Sequence, residues 1–326
     1  MLVVGSSNTD MIVRVPRIPK AGETVLGGEF ATVAGGKGAN QAVAAARAGG
    51  AVTLIACVGD DSFGRRALEG LAAQGINTNY IGRMRRSPSG VALIFVSADG
   101  QNSIAVAPGA NALLAPAGVR RAVEAFRGAS ALLMQLETPL ATVIEAAKLA
   151  SRRAVPVILN PAPAQELPDG LLRCVWILTP NESEASALSG VKVRDEATAA
   201  KAAAKLRRRG PAAVIITLGA RGAFVSDAKT HELVEGFKVK AVDTTAAGDV
   251  FNGALAVALG EGKSLLDAAR FANAAAAISV TRLGAQPSAP NRREIERMLN
   301  LQAPEGCQGI SRAGSRNKSL AKLKVD

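Results

Sequence analysis

The feature that most constrains this chain is a repeated alternation of short apolar runs with amphipathic stretches of helical period. From Asn40, NQAVAAARAGG reads as a helix closed by glycines, VTLIACVG as a buried strand, and SFGRRALEGLAAQG as an amphipathic helix ended by Gly75. ALLMQLE, VPVILN, VWILTPN and AVIITLG read as further buried strands, and PLATVIEAAKLASRR as a helix with Pro139 at its start. This rhythm predicts an α/β fold: a mainly parallel sheet with helices on both faces and ligands at the carboxyl ends of its strands.

Two β-prone pieces interrupt the rhythm. The first, about 12–35, holds Pro16, Pro19, Gly22, Gly27 and Gly28; the second, about 88–108, is a hairpin pattern turning at Asp99-Gly100. Together they predict a small β-sheet lid over the ligand edge. The opening residues read as a strand (Leu2 to Val4), a polar loop SSNTD and a second strand MIVRV. Another strand is expected to end near Asp243. Residues 1–300 thus form the expected domain, and 301–326 a basic tail without a packable face, read as disordered.

Composition removes several classes of function. Of 326 residues, 48% are apolar, enough for a large core. Cys57, Cys174 and Cys307 are odd in number and widely spaced, so neither a disulfide framework nor a Cys-x-x-Cys zinc pair is expected, and a reducing compartment is. His231 is the single histidine, which excludes a His-rich metal site and leaves acid-base chemistry to carboxylates or lysines. No apolar run approaches the ~20 residues of a membrane span, so a cytoplasmic protein without membrane contact is expected. The net charge is +12, but the basic residues are scattered as doublets and aromatics are only 3%, which disfavours nucleic acid as a partner.

Two glycine-rich segments carry candidate chemistry. In AGGKGANQAV, residues 34–43, glycines flank Lys37 just before Asn40; the residues alone fit either a capped turn or a ligand cradle. It is not a Walker A loop, because Gly38 stands where Ser or Thr would hold magnesium. In VDTTAAGDVFNGALAVALG, residues 242–260, Ala246, Ala247 and Gly248 form a turn into a helix whose first amides point at an anion. Asp249, in the first helical turn, fits either a favourable N-terminal charge or a base beside a phosphate. Asn8, Asp10, Glu137, Asn181 and Glu184 all fall near predicted strand ends, which points to one ligand edge.

With these motifs in place, the chain resembles the ribokinase-like, or phosphofructokinase-B, carbohydrate kinase family from Val3 to about Leu299. The resemblance rests on GGKGANQAVAAARAG and DTTAAGDVFNGAL, supported by GVALIFV, LNPAPAQELPD, TPNESEA, ITLGARGA and VTRLGAQPS. It implies a three-layer α/β sandwich with a β-lid that pairs two subunits into a homodimer. The implied reaction is ATP-dependent phosphorylation of D-ribose at its 5-hydroxyl. Asp249 would be the catalytic base, and Ala246, Ala247 and Gly248 the anion hole. Asn8, Asp10, Gly36, Lys37, Asn40, Glu137 and Asp249 match sugar-binding positions. Asn181, Thr217, Leu218, Gly219, Ala220, Arg221, Gly222, Gly248 and Asn273 match nucleotide positions. Glu184 would organise Mg2+ through water, and Asp243, Thr245, Ser279, Arg282, Gly284 and Ser288 would surround an activating K+. A same-fold kinase for 2-deoxyribose, fructose or adenosine, and a sugar-binding regulator without catalysis, stay open. A nucleotide-dependent oxidoreductase does not fit, since no G-x-G-x-x-G follows the first strand.

Overall fold

The computed structural model describes residues 1–26 and 28–301; the expected basic tail lies outside the described residues. Among the described residues the strands are β1 (Leu2–Val4), β2 (Asn8–Val15), β3 (Phe30–Gly35), β4 (Thr53–Gly59), β5 (Asn77–Met84), β6 (Gly90–Ser97), β7 (Asn102–Ala107), β8 (Leu132–Met134), β9 (Val157–Leu159), β10 (Ile177–Leu178), β11 (Ala213–Thr217), β12 (Gly222–Ser226) and β13 (His231–Glu235). The α-helices are α1 (Lys37–Arg47), α2 (Ser62–Ala73), α3 (Pro116–Arg121), α4 (Leu140–Arg152), α5 (Asp169–Leu172), α6 (Glu182–Ser189), α7 (Glu196–Arg207), α8 (Ala247–Gly260), α9 (Leu265–Ser279) and α10 (Arg292–Leu301).

Nine strands form the central sheet in the order β13-β12-β11-β10-β9-β8-β1-β4-β5. From β11 to β5 every pairing is parallel; β12 and β13 add an antiparallel edge. Each inner strand is buried on both faces, so alternate residues enter opposite cores. Val3, Leu133 and Ile215 face a core shared with α1, α2, α8 and α9. Leu2, Val4, Leu132, Met134, Val214 and Ile216 face the other, under α4 and α7. The predicted alternation is therefore present as three layers. β5, β12 and β13 were not anticipated: at the edge strands β5 and β13 mixed exposure removes the continuous apolar run that marked the inner strands, while β12, although fully buried, is a short GAFVS that begins at Gly222 of the preceding turn and ends in Ser226.

The second sheet has the order β3-β2-β6-β7, with the hairpin β6–β7 antiparallel and Gly100 at φ +83° in its turn. Two expectations are corrected. Asn8 and Asp10 are not in a loop: β2 begins at Asn8, because its backbone pairs with β3 on one side and β6 on the other. No strand ends near Asp243. The amides of Val242 and Asp243 instead donate to the Val280 carbonyl at 2.7 and 3.1 Å, docking this segment on the end of α9 rather than on the sheet.

α8 does not present a single apolar face; residues 249–258 are all buried, between α1 and α9. It crosses α1 at Gly253, where a side-chain carbon would lie 2.6 Å from the Gln41 carbonyl oxygen and 2.7 Å from the Ala44 methyl. No described helix is long and apolar enough to cross a membrane. Replacing Gly253 with Leu is expected to force the helices apart and destabilise the fold by about 3 kcal/mol or more, read by urea denaturation; unchanged stability would show that the crossing tolerates bulk.

Candidate active site

α1 can begin where it does because Gly36, its N-cap, takes φ +87° and lies against the backbone of Ser7 and Asn8, where a Cβ would stand 2.6 Å from the Asn8 nitrogen. That packing sets Lys37 beside the carboxyl ends of the inner strands. There the loop after β8 brings Glu137, whose Oε2 accepts from the Lys37 amide at 3.0 Å and from the Ser6 hydroxyl at 2.5 Å. From β2 come Asn8 and Asp10. Asn8 is oriented by Asn111, whose Nδ2 donates to its Oδ1 at 2.7 Å.

Asp249 enters from the first turn of α8. Its Oδ2 accepts from Asn40 Nδ2 at 3.0 Å and its Oδ1 from Gln41 Nε2 at 2.9 Å. Burial pushes its pKa up, and the Lys37 ammonium, Gln41 and Asn40 pull against that rise. Lys37 in turn is held above its ordinary value, first by Asp249, with burial opposing and Glu137, Glu184 and Asp10 assisting. Asp10 is raised to about 6 by burial and by the negative charges of Glu137 and Asp249. One cation thus stands among four acids. The buried Asn40 Oδ1 has no partner within the protein, as a group awaiting a ligand hydroxyl would not.

These residues line a polar cavity of about 410 Å³ walled on the lid side by Ala92, Ile94, Asn102, Ile104 and Val106. A second, more apolar cavity of about 690 Å³ adjoins it, lined by Thr217, Gly219, Ala220, Gly222, Gly248 and Asn273 among others. Asn181, Thr217, Thr244, Ala247 and Gly248 border both cavities. The junction is therefore the turn at the start of α8. Ala246 holds a left-handed conformation there, φ 58°, a strained geometry for a residue with a side chain. A side-chain carbon at Gly248 would meet nothing within 4 Å, so its backbone is open to a ligand. The Ala247 amide points back to the Thr244 carbonyl at 3.3 Å.

Other expected residues lie at varied distances from the cavities. Leu218 is buried, with its amide donating to the Gly222 carbonyl at 2.8 Å, and Arg221 turns its guanidinium to Glu182 and the Arg194 carbonyl. Asn273 donates to the carbonyls of Val234 and Glu235, pinning β13 beside the larger cavity. Asn181 caps α6 in a reciprocal box with Glu184, whose two oxygens accept from the Asn181 amide and side chain at 2.9 Å. Burial raises the Glu184 pKa, with the Asn181 backbone hydrogen bond and Lys37 opposing.

Asp243 ties together the segment beyond: Oδ1 accepts from the Thr245 amide at 2.9 Å and Oδ2 from the Gly284 amide at 2.8 Å. Burial would raise this acid, but those hydrogen bonds outweigh it and its pKa is lowered. Ser279 and Ser288 donate to nearby carbonyls, and Arg282 is occupied by Glu294. Among the described residues no group of three or more His, Cys, Asp or Glu is placed to hold a metal. The Asp243 carboxylate is thus committed to the amides of its own segment and of the loop after α9.

Sequence reasoning missed Phe237, Lys238 and Val239 of the larger cavity, and a buried chain of amides behind Asp249: Gln41, Gln135, Asn160, Thr179 and Asn252. The signal for the latter was present. Gln135 interrupts the apolar run ALLMQLE, and Asn160 closes VPVILN.

The sequence profile described as the pfkB family of carbohydrate kinases matches residues 1–304. The chain is 49% identical over 299 residues to the ribokinase of Haemophilus influenzae, covering 92% of this chain and 98% of that one. It is 45% identical to the ribokinase of Bacillus subtilis over 298 residues, covering 91% and 98%. Among solved structures it is similar to the ribokinase of Thermotoga maritima, with TM-score 0.85 and 42% identity, covering 92% and 98%. It is also similar to the Arabidopsis thaliana ribokinase complexed with ribose and ATP, with TM-score 0.86 and 36% identity, covering 91% and 97%. A match along nearly the whole chain, on a fold whose two cavities meet at a helix N-terminus, means that the chain belongs to the pfkB family of carbohydrate kinases.

Proposed function

We propose that this chain transfers the γ-phosphate of ATP to the 5-hydroxyl of D-ribose, giving ribose 5-phosphate. The observation that carries this reading is the position of Asp249, a buried carboxylate on the polar cavity beside the one turn that both cavities share. The relatives named as ribokinases, one of them solved with ribose and ATP, supply the substrate pair.

The polar cavity has the chemistry a pentose needs. Asp10, Glu137 and the unpaired Asn40 oxygen accept from hydroxyls, while Lys37 and Asn8 donate. ATP would lie in the larger cavity, its phosphates towards Gly248 and Asn181. Asp249 Oδ2 would take the proton of the attacking hydroxyl, and the start of α8 would hold the negative charge that develops on the transferred phosphate. Magnesium, brought with the nucleotide, would neutralise phosphate charge, with Glu184 organising its waters. Potassium would be held by oxygens of Asp243, Thr245, Ser279, Arg282, Gly284 and Ser288, beside the turn whose amides it would support. ATP as donor and unpaired cysteines at Cys57 and Cys174 fit a cytoplasmic enzyme.

The lid supports a homodimer. Val13 lies directly opposite Phe30 on one side and Phe95 on the other, so the three side chains form a row on the face away from the cavity, with Leu93 next to them. Phe30, Leu93 and Phe95 are exposed. Pairing of two lids through this row would remove them from water.

ADP release measured with D-ribose, 2-deoxyribose, fructose and adenosine, each in potassium and in sodium, tests the reaction. The expected result is strong turnover with ribose, raised by potassium and lowered about 10³-fold in Asp249→Asn with ATP affinity retained; no turnover with any sugar, or a fully active variant, would overturn it. Because protonating the raised Asp10 removes the charge that strengthens its hydrogen bonds from hydroxyls, calorimetry is expected to show ribose binding about tenfold weaker at pH 5 than at pH 7.5. An affinity flat across that range would remove Asp10 from the sugar site. Sedimentation is expected to show a dimer that Phe95→Asp converts to monomer; a monomeric parent protein would refute the lid pairing.

A further inference from the structure

Behind Asp249 lies a chain of buried amides whose donor and acceptor ends are fixed by a group that cannot reverse. The Thr179 carbonyl can only accept, and Asn160 Nδ2 donates to it at 2.9 Å. Asn160 Oδ1 therefore faces Gln41 and accepts from Gln41 Nε2 at 3.1 Å. The other proton of that nitrogen goes to Asp249 Oδ1 at 2.9 Å. Gln41 Oε1 is occupied by Gln135 Nε2 at 2.6 Å. Gln41 cannot turn its oxygen towards Asp249 without breaking three hydrogen bonds among groups that are all buried.

The same threonine anchors the neighbouring turn. Its hydroxyl donates to Asn252 Oδ1 at 2.5 Å, and Asn252 Nδ2 donates to the Gly248 carbonyl at 2.8 Å. Thr179, just beyond β10, thus fixes both the carboxylate and the turn next to it in sequence.

We propose that Gln41 is a positioning residue for the base, a donor of locked polarity that holds Asp249 Oδ1 and leaves Oδ2 to receive the substrate proton. This rests on the kinase reading for its catalytic meaning, but the hydrogen-bond chain stands without it. Gln41 is fully buried and does not border either cavity, so it acts through Asp249 rather than on the sugar. Its effect is to favour the ionised carboxylate in a place where burial favours the neutral acid. The charged groups facing Asp249 are Lys37 from α1 and Glu137 from the loop after β8, with Asp10 of β2 and Glu184 of α6 also within its field. Lys37 alone is cationic; the three acids oppose ionisation. Gln41 and Asn40 are the two neutral donors that help Lys37.

The test is the titration of the Asp249 carboxyl carbon by NMR in the full chain labelled at aspartate, with Asp249→Asn giving the assignment. Gln41→Met keeps the length and apolar volume of the side chain and removes the donor. It is expected to move the Asp249 titration up by about one pH unit, and in the active enzyme to move the acid limb of kcat with it while KM for ATP stays constant. Gln135→Met, one step further back, is expected to shift the titration in the same direction by less, and serves if Gln41→Met does not fold. An Asp249 titration identical in the parent and the folded variants would overturn the proposal. Turnover of the parent separately decides the kinase reading, so the two can fail independently.

Discussion

The structure depends on how one carboxylate is met where water is almost excluded. Asp249 is 5% exposed, and the cost of burying an unpaired charge exceeds what most folds can offset. Here the charge is met by Lys37 at the start of α1, by Asn40 and Gln41 on the next turn of the same helix, and by its own place at the N-terminus of α8. All of this requires α1 and α8 to cross closely. The Gly253 contact permits that approach, Gly36 lets α1 begin against Ser7 and Asn8, and Gly38 lets its first turn rest on Gly5 and Ser6, just after β1. A packing requirement far from any ligand therefore sets the electrostatics of the site.

The two sheets divide the remaining tasks. The parallel sheet brings Glu137, Asn160, Asn181 and Thr217 to one edge from four successive strand ends. Helix α8 begins at the turn that borders both cavities. The smaller sheet supplies apolar side chains at Ala92, Ile94, Ile104 and Val106 together with the polar Asn8, Asp10 and Asn102, so one wall of the cavity mixes covering groups with hydrogen-bonding ones.

Much of this was legible in the sequence, for identifiable reasons. The inner strands were visible because burial on both faces leaves an apolar run; β13 was not, because an edge strand such as HELVE carries charges on its open face, and β12 was not, because the buried GAFVS is short and bounded by Gly222 and Ser226. The segment before Asp243 reads like a strand, yet it docks on α9, since propensity cannot see which partner has free hydrogen-bonding groups. Asp249, Lys37 and Asn40 stood out because they sit beside glycines. Gln41, next to Asn40 in the same motif, did not: its importance lies in the polarity of partners at Gln135 and Asn160, more than a hundred residues from it in the second case. Local sequence shows which residues could bind. It does not show which of them must be held.

The lid sheet joins the rest of the chain at the start of β2, the end of β3, the start of β6 and the end of β7. Gly35-Gly36 and Ser89-Gly90 are two of these joins, and Asp61 grips the latter by accepting from the Ser89 amide and hydroxyl at 2.7 Å. The two side chains that hydrogen-bond to Asp249, Asn40 and Gln41, lie beyond those joins on α1. The apolar residues of β6 and β7 that wall the cavity take no part in those two hydrogen bonds. Such a partition separates the side chains that shape the mouth of the polar cavity from those that hold its buried carboxylate.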